Sequence, residues 1–391
     1  MTAGVDDGRG RGAGLRTSRP KGRRVKPSDM SDLIPQVVYS MRSGGAENTG
    51  CLASVIIVTY GPRSSDLAAC LDGLRRQTVE QFEVILVENG SSHFREDFSR
   101  GLSLTYLLLD GNYGPSIARN LASLHAQSEI LVFLEDDGVP HPDFLRAHLS
   151  CYENPGVVGA RGACFSKSRG SQTPGSYYLG DAPKPALLNV EGNASVRKGP
   201  FIECGGWSNP IYGHSGIILT YKLTDRGLNE GKVIYTPNAI IHHDHNKRLL
   251  RWLKVCFIRQ RNWEHLRDLY PDIDEFVKRY KQANDRAAAK DSLAYMVRNP
   301  AILLERARRK WLLWLQRRAV RMGARWAGLA KAAGRTASHR QLDHSDWFRA
   351  WEENAEPKRP ERLSETGPMQ QGNRTPRQAV AVETGEEKWP A

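Results

Sequence analysis

Four short apolar runs, each closed by polar turn residues, limit what this chain can fold into more than any other feature. They are LASVIIVTY at 52–60, FEVILVE at 82–88, Leu104 to Leu109, and Ile130 to Leu134. Such runs, bounded by turn signals, suit strands buried on both faces, as in a parallel sheet. Between the first and second runs lies a helical stripe, Leu67, Cys70, Leu71 and Leu74, which Ser64, Ser65 or Asp66 can cap. Between the third and fourth lies another, Ile117, Leu121 and Leu124, with Pro115 suited to its first turn. Strand, helix, strand, strand, helix, strand predicts an α/β fold with a mainly parallel central sheet flanked by helices.

The fourth run continues as ILVFLEDDGVPHPD at 130–143, so a buried strand ends in Glu135, Asp136 and Asp137. Ligands of open α/β sheets bind just outside the carboxyl ends of the strands. Three adjacent negative charges repel one another unless a cation sits among them, and hard oxygen ligands suit Mg²⁺ or Mn²⁺. The competing reading is a solvated acidic loop. Further along, the pattern predicts a helix over 143–152, a strand over 156–165, and a Ser, Gly, Pro and Tyr rich loop of lid length over 166–186. A strand over 186–197, a helix over 216–227 and a last strand over 233–241 follow, the last ending in His242, His243, Asp244 and His245.

Six cysteines, Cys51, Cys70, Cys151, Cys164, Cys204 and Cys256, show no CxxC pair and no regular spacing. That argues against a disulfide framework or a structural zinc site and predicts a reducing, cytoplasmic setting. The N-terminal segment has arginines but no apolar core of a secretory signal, and no run of eighteen apolar residues could span a bilayer. The formal net charge of +13 is concentrated: between Met296 and Arg340 there are twelve Lys or Arg and one acid, Glu305. The rest of the chain is close to neutral.

Four motifs in order, SVIIVTY at 54–60, QTVEQFEVILVENGSS at 77–92, GPSIARN at 114–120 and FLEDDG at 133–138, give the chain a family likeness. It resembles a family 2 glycosyltransferase of the GT-A fold, from about Leu52 to about Arg261. GGW at 205–207, YKLTDRG at 221–227 and PNAIIHHDH at 237–245 extend the likeness. The resemblance implies metal-dependent, inverting transfer of a sugar from a UDP-, dTDP- or GDP-linked donor to a glycan, lipid-linked or other hydroxyl acceptor, such as a cell-envelope polysaccharide precursor. It implies that Glu135 and Asp137 occupy DxD positions, that Asp137, Glu135 and His243 bind Mn²⁺ or Mg²⁺, and that Asp136 lies nearer the donor ribose or sugar. It also implies that Thr59, Tyr60, Glu88 and Asn89 line the nucleoside pocket, with Glu88 where Asp is usual, and that Arg119 and Asn120 lie near the donor. A divalent cation bridging the diphosphate acts as a Lewis acid on the leaving group.

The likeness breaks at GHSGIILTYKL, 213–223, where relatives carry an acidic general base: Ser215 stands in its place, and Ile218 replaces a second acid. A serine hydroxyl is far too weak a base without help. Three readings stay open. His214 acts as base, since imidazole titrates near working pH; a nearby acid, Glu203, Glu191 or Asp181, takes over; or the chain is a catalytically impaired sugar-nucleotide-binding or membrane-associated scaffold protein.

These readings divide the chain into a disordered basic arm (1–49), a GT-A catalytic domain (50–247), a helical extension (248–295), a basic amphipathic helix (296–335) and a mostly disordered tail (336–391) with a short helix around Trp347 to Glu353. Within the basic helix, Leu312, Leu315, Ala319, Met322, Trp326 and Leu329 step by three and four, with Arg317, Arg318, Arg321 and Arg325 on the flanks. An apolar stripe with Trp beside many arginines suits the inner face of a cell membrane carrying anionic lipid, residues 300–330 making the contact. The alternative is a stripe packed against the catalytic domain. Nucleic acid is not an expected partner, because no groove-reading or base-stacking module accompanies the charge.

Overall fold

The computed structural model describes residues 34–43, 50–61, 64–90, 94–167, 177–208, 213–224, 231–244, 249–284, 300–332 and 348. The first half of the fold comprises strand β1 (Val37–Ser43), β2 (Ala53–Thr59), helix α1 (Ser64–Arg75), β3 (Phe82–Glu88), β4 (Leu104–Leu109), α2 (Gly114–His125), β5 (Ile130–Glu135), β6 (Val139–Pro140) and α3 (Phe144–Leu149). The second half comprises β7 (Val157–Phe165), β8 (Lys184–Pro185), β9 (Asn193–Arg197), α4 (Lys198–Glu203), α5 (Ser215–Thr224), β10 (Lys232–His242), α6 (Leu249–Leu269) and α7 (Ile273–Asn284). A long helix, α8 (Pro300–Ala332), completes the described elements.

One sheet takes the order β1-β4-β3-β2-β5-β9-β7-β10-β6, with β8 paired to β10. The run β4-β3-β2-β5 is parallel, as its unbroken apolar strands predict. Side chains alternate between faces, so each strand feeds two cores. Ile56, Leu131 and Phe133 pack under α2 and α4 with Trp207. Val55, Ile57, Val132 and Leu134 pack under α1 and α3. This two-sided cover holds the polar strand ends along one rim.

Three boundaries differ from the sequence pattern. Residues 37–43 lie inside the expected disordered arm, yet form β1, antiparallel to β4. Tyr39 and Met41 pack on the α1 side of the core, and the strand needs β4's open edge as its partner. The strand expected over 186–197 is confined to Asn193–Arg197, because a turn closed by Asn193 N–H to Val190 C=O at 3.0 Å interrupts it. Phe348, from the expected tail, sits in the core against Phe201, centroids 6.4 Å apart. His245 and most of the segment around Trp347 to Glu353 lie outside the described residues.

The register of β7 and β10 slips between Tyr235 and Ile240, which leaves strand carbonyls without ladder partners. Asn193 Nδ2 donates to Ala163 C=O at 2.8 Å and Ala239 C=O at 2.9 Å. Its Oδ1 must then accept, so His148 Nε2, 2.9 Å away, carries the proton. Nδ1 of the same ring accepts from Ser195 Oγ at 2.8 Å, and that oxygen accepts from the Tyr152 hydroxyl at 2.8 Å. Only a neutral imidazole fits this chain, and burial, against a smaller opposing contribution from Asn193, pushes His148 down to about 4.

The folded value lies below the ordinary 6.5, so this contribution is complete above about 6.5 and is lost as pH falls toward 4. Urea titrations from pH 7 to 4.5 are expected to show an acid limb about one proton steep, near 1.4 kcal/mol per pH unit, that flattens in His148→Gln. An unchanged limb would show that His148 does not govern it.

Candidate active site

The parallel strands deliver Thr59, Glu88 and Glu135 to one rim, since Thr59 pairs in register with Glu88 and Val58 with Glu135. Beyond β5 the chain turns at once, Gly138 N–H bonding Glu135 C=O at 3.0 Å, and the three carboxylates stay at the strand end. Thr59 Oγ1 donates to Asp136 Oδ2 at 2.6 Å. Burial, opposed by that hydrogen bond and reinforced by the charges of Asp137 and Glu135, pushes Asp136 up to about 6.

β10 brings in His243, 106 residues further on by number, whose N–H bonds Phe165 C=O at 2.8 Å. Its Nε2 lies 3.1 Å from Asp137 Oδ1. Burial alone would lower His243, but the Asp137 carboxylate, with Cys164 and Glu135 adding, lifts it to about 10. For Asp137 burial likewise opposes the shift, and the His243 contact wins, holding the carboxyl below its usual range.

The contact is an ion-pair distance without hydrogen-bond alignment, because buried Asp137 Oδ1 receives no well-directed hydrogen bond. This buried anionic oxygen, ion-paired with His243 and close in sequence to Glu135 and Asp136, is a position where a hard cation could take the place of the imidazolium. Among the described residues no three His, Cys, Asp or Glu side chains converge tightly enough to form a metal cage by themselves.

Glu191 sits in the Val190–Asn193 turn, next to the acids. Glu135 N–H bonds Gly192 C=O at 3.2 Å, and a Cβ on Gly192 would lie 1.5 Å from Glu135 Oε2. Glu135 therefore lies across bare backbone that only glycine leaves open. Glu191 Oε1 accepts from Ser215 Oγ at 2.7 Å and from Gly216 N–H at 3.2 Å, at the first turn of α5. Its Oε2 pairs with Arg119 Nη1 at 3.2 Å, while the Arg119 guanidinium stacks 5.4 Å from the Trp207 ring. The α5 end reaches this turn because Gly216 lies on the Leu188 carbonyl, where a Cβ would come within 2.0 Å. Glu191 thus places a carboxylate at the start of α5, against Ser215.

Other expected site residues have different work. His214 Nε2 bonds Arg259 C=O at 2.8 Å and its ring meets Trp263 edge-on at 5.0 Å. Burial lowers its pKa, and the ring ties the start of α5 to α6. Glu203 is exposed at the end of α4. That helix starts at the opposite rim, where Lys198 N–H bonds Glu129 C=O at 2.9 Å. Asp181 is exposed and accepts from the Tyr178 hydroxyl.

Asn120 is fully buried, with both amide atoms bonded to the Trp207 backbone at 3.0 and 2.9 Å. Asn89 likewise bonds Asn112 Oδ1 at 2.9 Å and Tyr113 N–H at 3.0 Å, tying the β3 exit to the α2 entry. Glu88 is buried and accepts from Tyr106 OH, whereas Tyr60 is exposed on the rim. Tyr177 gave no signal in sequence: burial first, opposed by the charge of Arg259 and reinforced by those of Glu135 and Glu191, pushes its phenol up to about 12.

The sheet is mixed rather than mainly parallel, but its β4-β3-β2-β5 run is parallel and ends in carboxylates, at the edge where ligands of open α/β sheets bind. Residues 54–208 match the model for glycosyl transferase family 2, and this part of the chain is a family 2 glycosyltransferase domain of the GT-A fold, continued by C-terminal helices. The chain is 30% identical over 164 residues to an uncharacterized glycosyltransferase, YfnE, of Bacillus subtilis, covering 39% of this chain and 42% of that protein. It is 32% identical over 111 residues to glycosyltransferase AglE of Haloferax volcanii, covering 27% and 36%. The chain thus spans less than half the length of either relative. Among solved structures, mannosyltransferase PcManGT from Pyrobaculum calidifontis, in complex with GDP-Man and Mn²⁺, aligns with TM-score 0.47 at 18% identity over 70% of this chain and 87% of that one.

Proposed function

We propose that this chain transfers a sugar, with inversion, from a nucleotide diphosphate donor to a hydroxyl of a glycan or lipid-linked acceptor. The observation that carries this reading is the gathering of Thr59, Glu135 to Asp137, Glu191 and His243 at one rim of the family 2 domain. Asp137 and Glu135, joined by His243 once it gives up its proton and completed by water and donor phosphate oxygens, would hold Mn²⁺ or Mg²⁺, whose Lewis acidity would stabilise charge on the leaving diphosphate. Thr59, Tyr60 and Asp136 bind the nucleoside and sugar side of the donor, and Arg119 offsets phosphate charge while it orients Glu191.

Glu191 is the base. The acceptor oxygen bonds to the anomeric carbon as its proton passes to Glu191, and the bond from that carbon to the diphosphate oxygen breaks with its electron pair leaving on the diphosphate. The two hydrogen bonds from α5 hold the carboxylate at the helix N-terminus, where the dipole favours negative charge. All six cysteines are free, which supports a reducing, cytoplasmic setting. No described helix is long and apolar enough to cross a membrane.

UDP, GDP and dTDP, each tested with Mn²⁺, provide the check by thermal shift. One of them is expected to raise Tm by about 5–10 °C at a hundredfold excess over Kd. No stabilisation by any of them would remove the donor site. Stabilisation without turnover of the matching nucleotide sugars would instead favour a binding or scaffold role, for which the serine at 215 is the motive.

A further inference from the structure

Helix α8 is attached to the rest of the chain by its small residues. A Cβ on Gly323 would lie 2.5 Å from the Phe257 carbonyl of α6, and Ala327, one turn on, is buried. Close approach of two helix backbones needs such residues, and it fixes which side of α8 faces inward. Of the stripe on which the membrane reading rests, Met322, Trp326 and Leu329 are exposed, whereas Leu315 and Ala319 are half-buried. Trp311 is 53% exposed, Trp314 49%, Met322 61%, Trp326 44% and Leu329 67%. At 3.6 residues per turn these five side chains share an arc of about 120°, opposite the Gly323 and Ala327 seam.

Arg317, Arg318, Arg321 and Arg325 are all exposed, Arg318 and Arg325 within that arc and Arg321 and Arg317 along one flank of it, and the Arg318 guanidinium lies 5.0 Å over the Trp314 ring. Soluble surfaces rarely leave so many large apolar side chains together. Aromatic rings with arginines beside them match the boundary between acyl chains and anionic headgroups, where rings bury their apolar bodies and guanidinium groups meet phosphates. Association of two such faces would set one row of arginines against another.

We propose that the outward face of α8 lies in the plane of a bilayer surface that carries anionic lipid. Trp311, Trp314, Met322, Trp326 and Leu329 enter the interfacial layer, and Arg317, Arg318, Arg321 and Arg325 bind lipid phosphates. This docking is independent of the transfer reaction and would hold with or without turnover.

The test uses the full chain and sedimentation with vesicles of phosphatidylcholine alone or with about a third phosphatidylglycerol. Binding is expected to be at least about tenfold tighter with the anionic lipid and to weaken in high salt. Changing Arg317, Arg318 and Arg321 together to glutamate should weaken it about a hundredfold. Changing Trp314, Trp326 and Leu329 to glutamine should lower binding at every salt concentration, with quenching by brominated lipid lost. All six positions are exposed, and an unchanged melting temperature in each variant confirms that the fold survives.

Equal binding to both vesicle types, or binding unaffected by either set, would overturn the proposal. So would a concentration-dependent dimer abolished by the apolar set without vesicle binding, or a single-stranded oligonucleotide that binds more tightly and displaces the vesicles.

Discussion

Glu191→Gln is expected to lower kcat for sugar transfer by about 10²–10⁴, the usual worth of a positioned base, while leaving donor binding nearly unchanged. Glutamine keeps an acceptor oxygen for Ser215 Oγ and the Gly216 N–H, contacts of 2.7 and 3.2 Å in the parent. The fold at the α5 end is therefore preserved, and what is lost is the capacity to take a proton, together with the charge facing Arg119 at 3.2 Å. A structural role alone would move Tm and nucleotide affinity before kcat. The sharpest readout is rescue: Ser215→Glu in the Glu191→Gln background returns an acid to the helix end and should restore part of the rate. Full activity in Glu191→Gln would remove Glu191 from the chemistry.

Asp137→Ala should have an effect at least as large and of a different kind. Transfer is expected to fall about a thousandfold or more, since several kcal/mol of leaving-group stabilisation go with the cation. Unlike the change at Glu191, it should also abolish the Mn²⁺-dependent part of the nucleotide thermal shift. Asp137 Oδ1 is the buried oxygen that receives no aligned hydrogen bond in the protein, so its removal leaves no other buried polar partner stranded except His243. A nucleotide shift that keeps its full Mn²⁺ dependence in Asp137→Ala would mean that the cation is held elsewhere. The two variants together separate donor binding from proton transfer, because only one of them should lose both.

Much of this arrangement was legible before any fold was in hand. The apolar runs ending at Thr59, Glu88 and Glu135 specify strands covered on both faces, and their polar ends must then share a rim. The consecutive acids of 135–137 and the ordered motifs around them pointed to a family, and that family match covers residues 54–208. These are local features, written in periods of two and of three to four and in turn residues, and local sequence carries them.

What stayed hidden involves contacts between distant segments. Asn89 and Asn120 sit in motifs associated with donor binding, yet each bonds groups brought close by the fold, Asn89 the Asn112 side chain and Tyr113 N–H, Asn120 the backbone of Trp207, 87 positions away. His214, one of the candidate bases, has its Nε2 on the Arg259 carbonyl of α6, 45 positions away. The outward direction of Trp311, Trp314 and Trp326 follows from a glycine that lets α8 lie on α6, and no helical wheel of α8 alone reveals which face is taken.

By itself, then, the sequence determined the layered sheet, the rim on which chemistry is placed and the acids at its centre, because strand burial and turn chemistry are properties of neighbouring residues. Only the tertiary structure decided which carboxylate stands at the α5 helix end. Glu191 and Ser215 are 24 residues apart, and their meeting depends on a turn before β9 and on Gly216 lying flat against Leu188. A missing side chain at one position can be replaced by one from another segment whenever packing brings their ends together, and that geometry is not a local property of either segment.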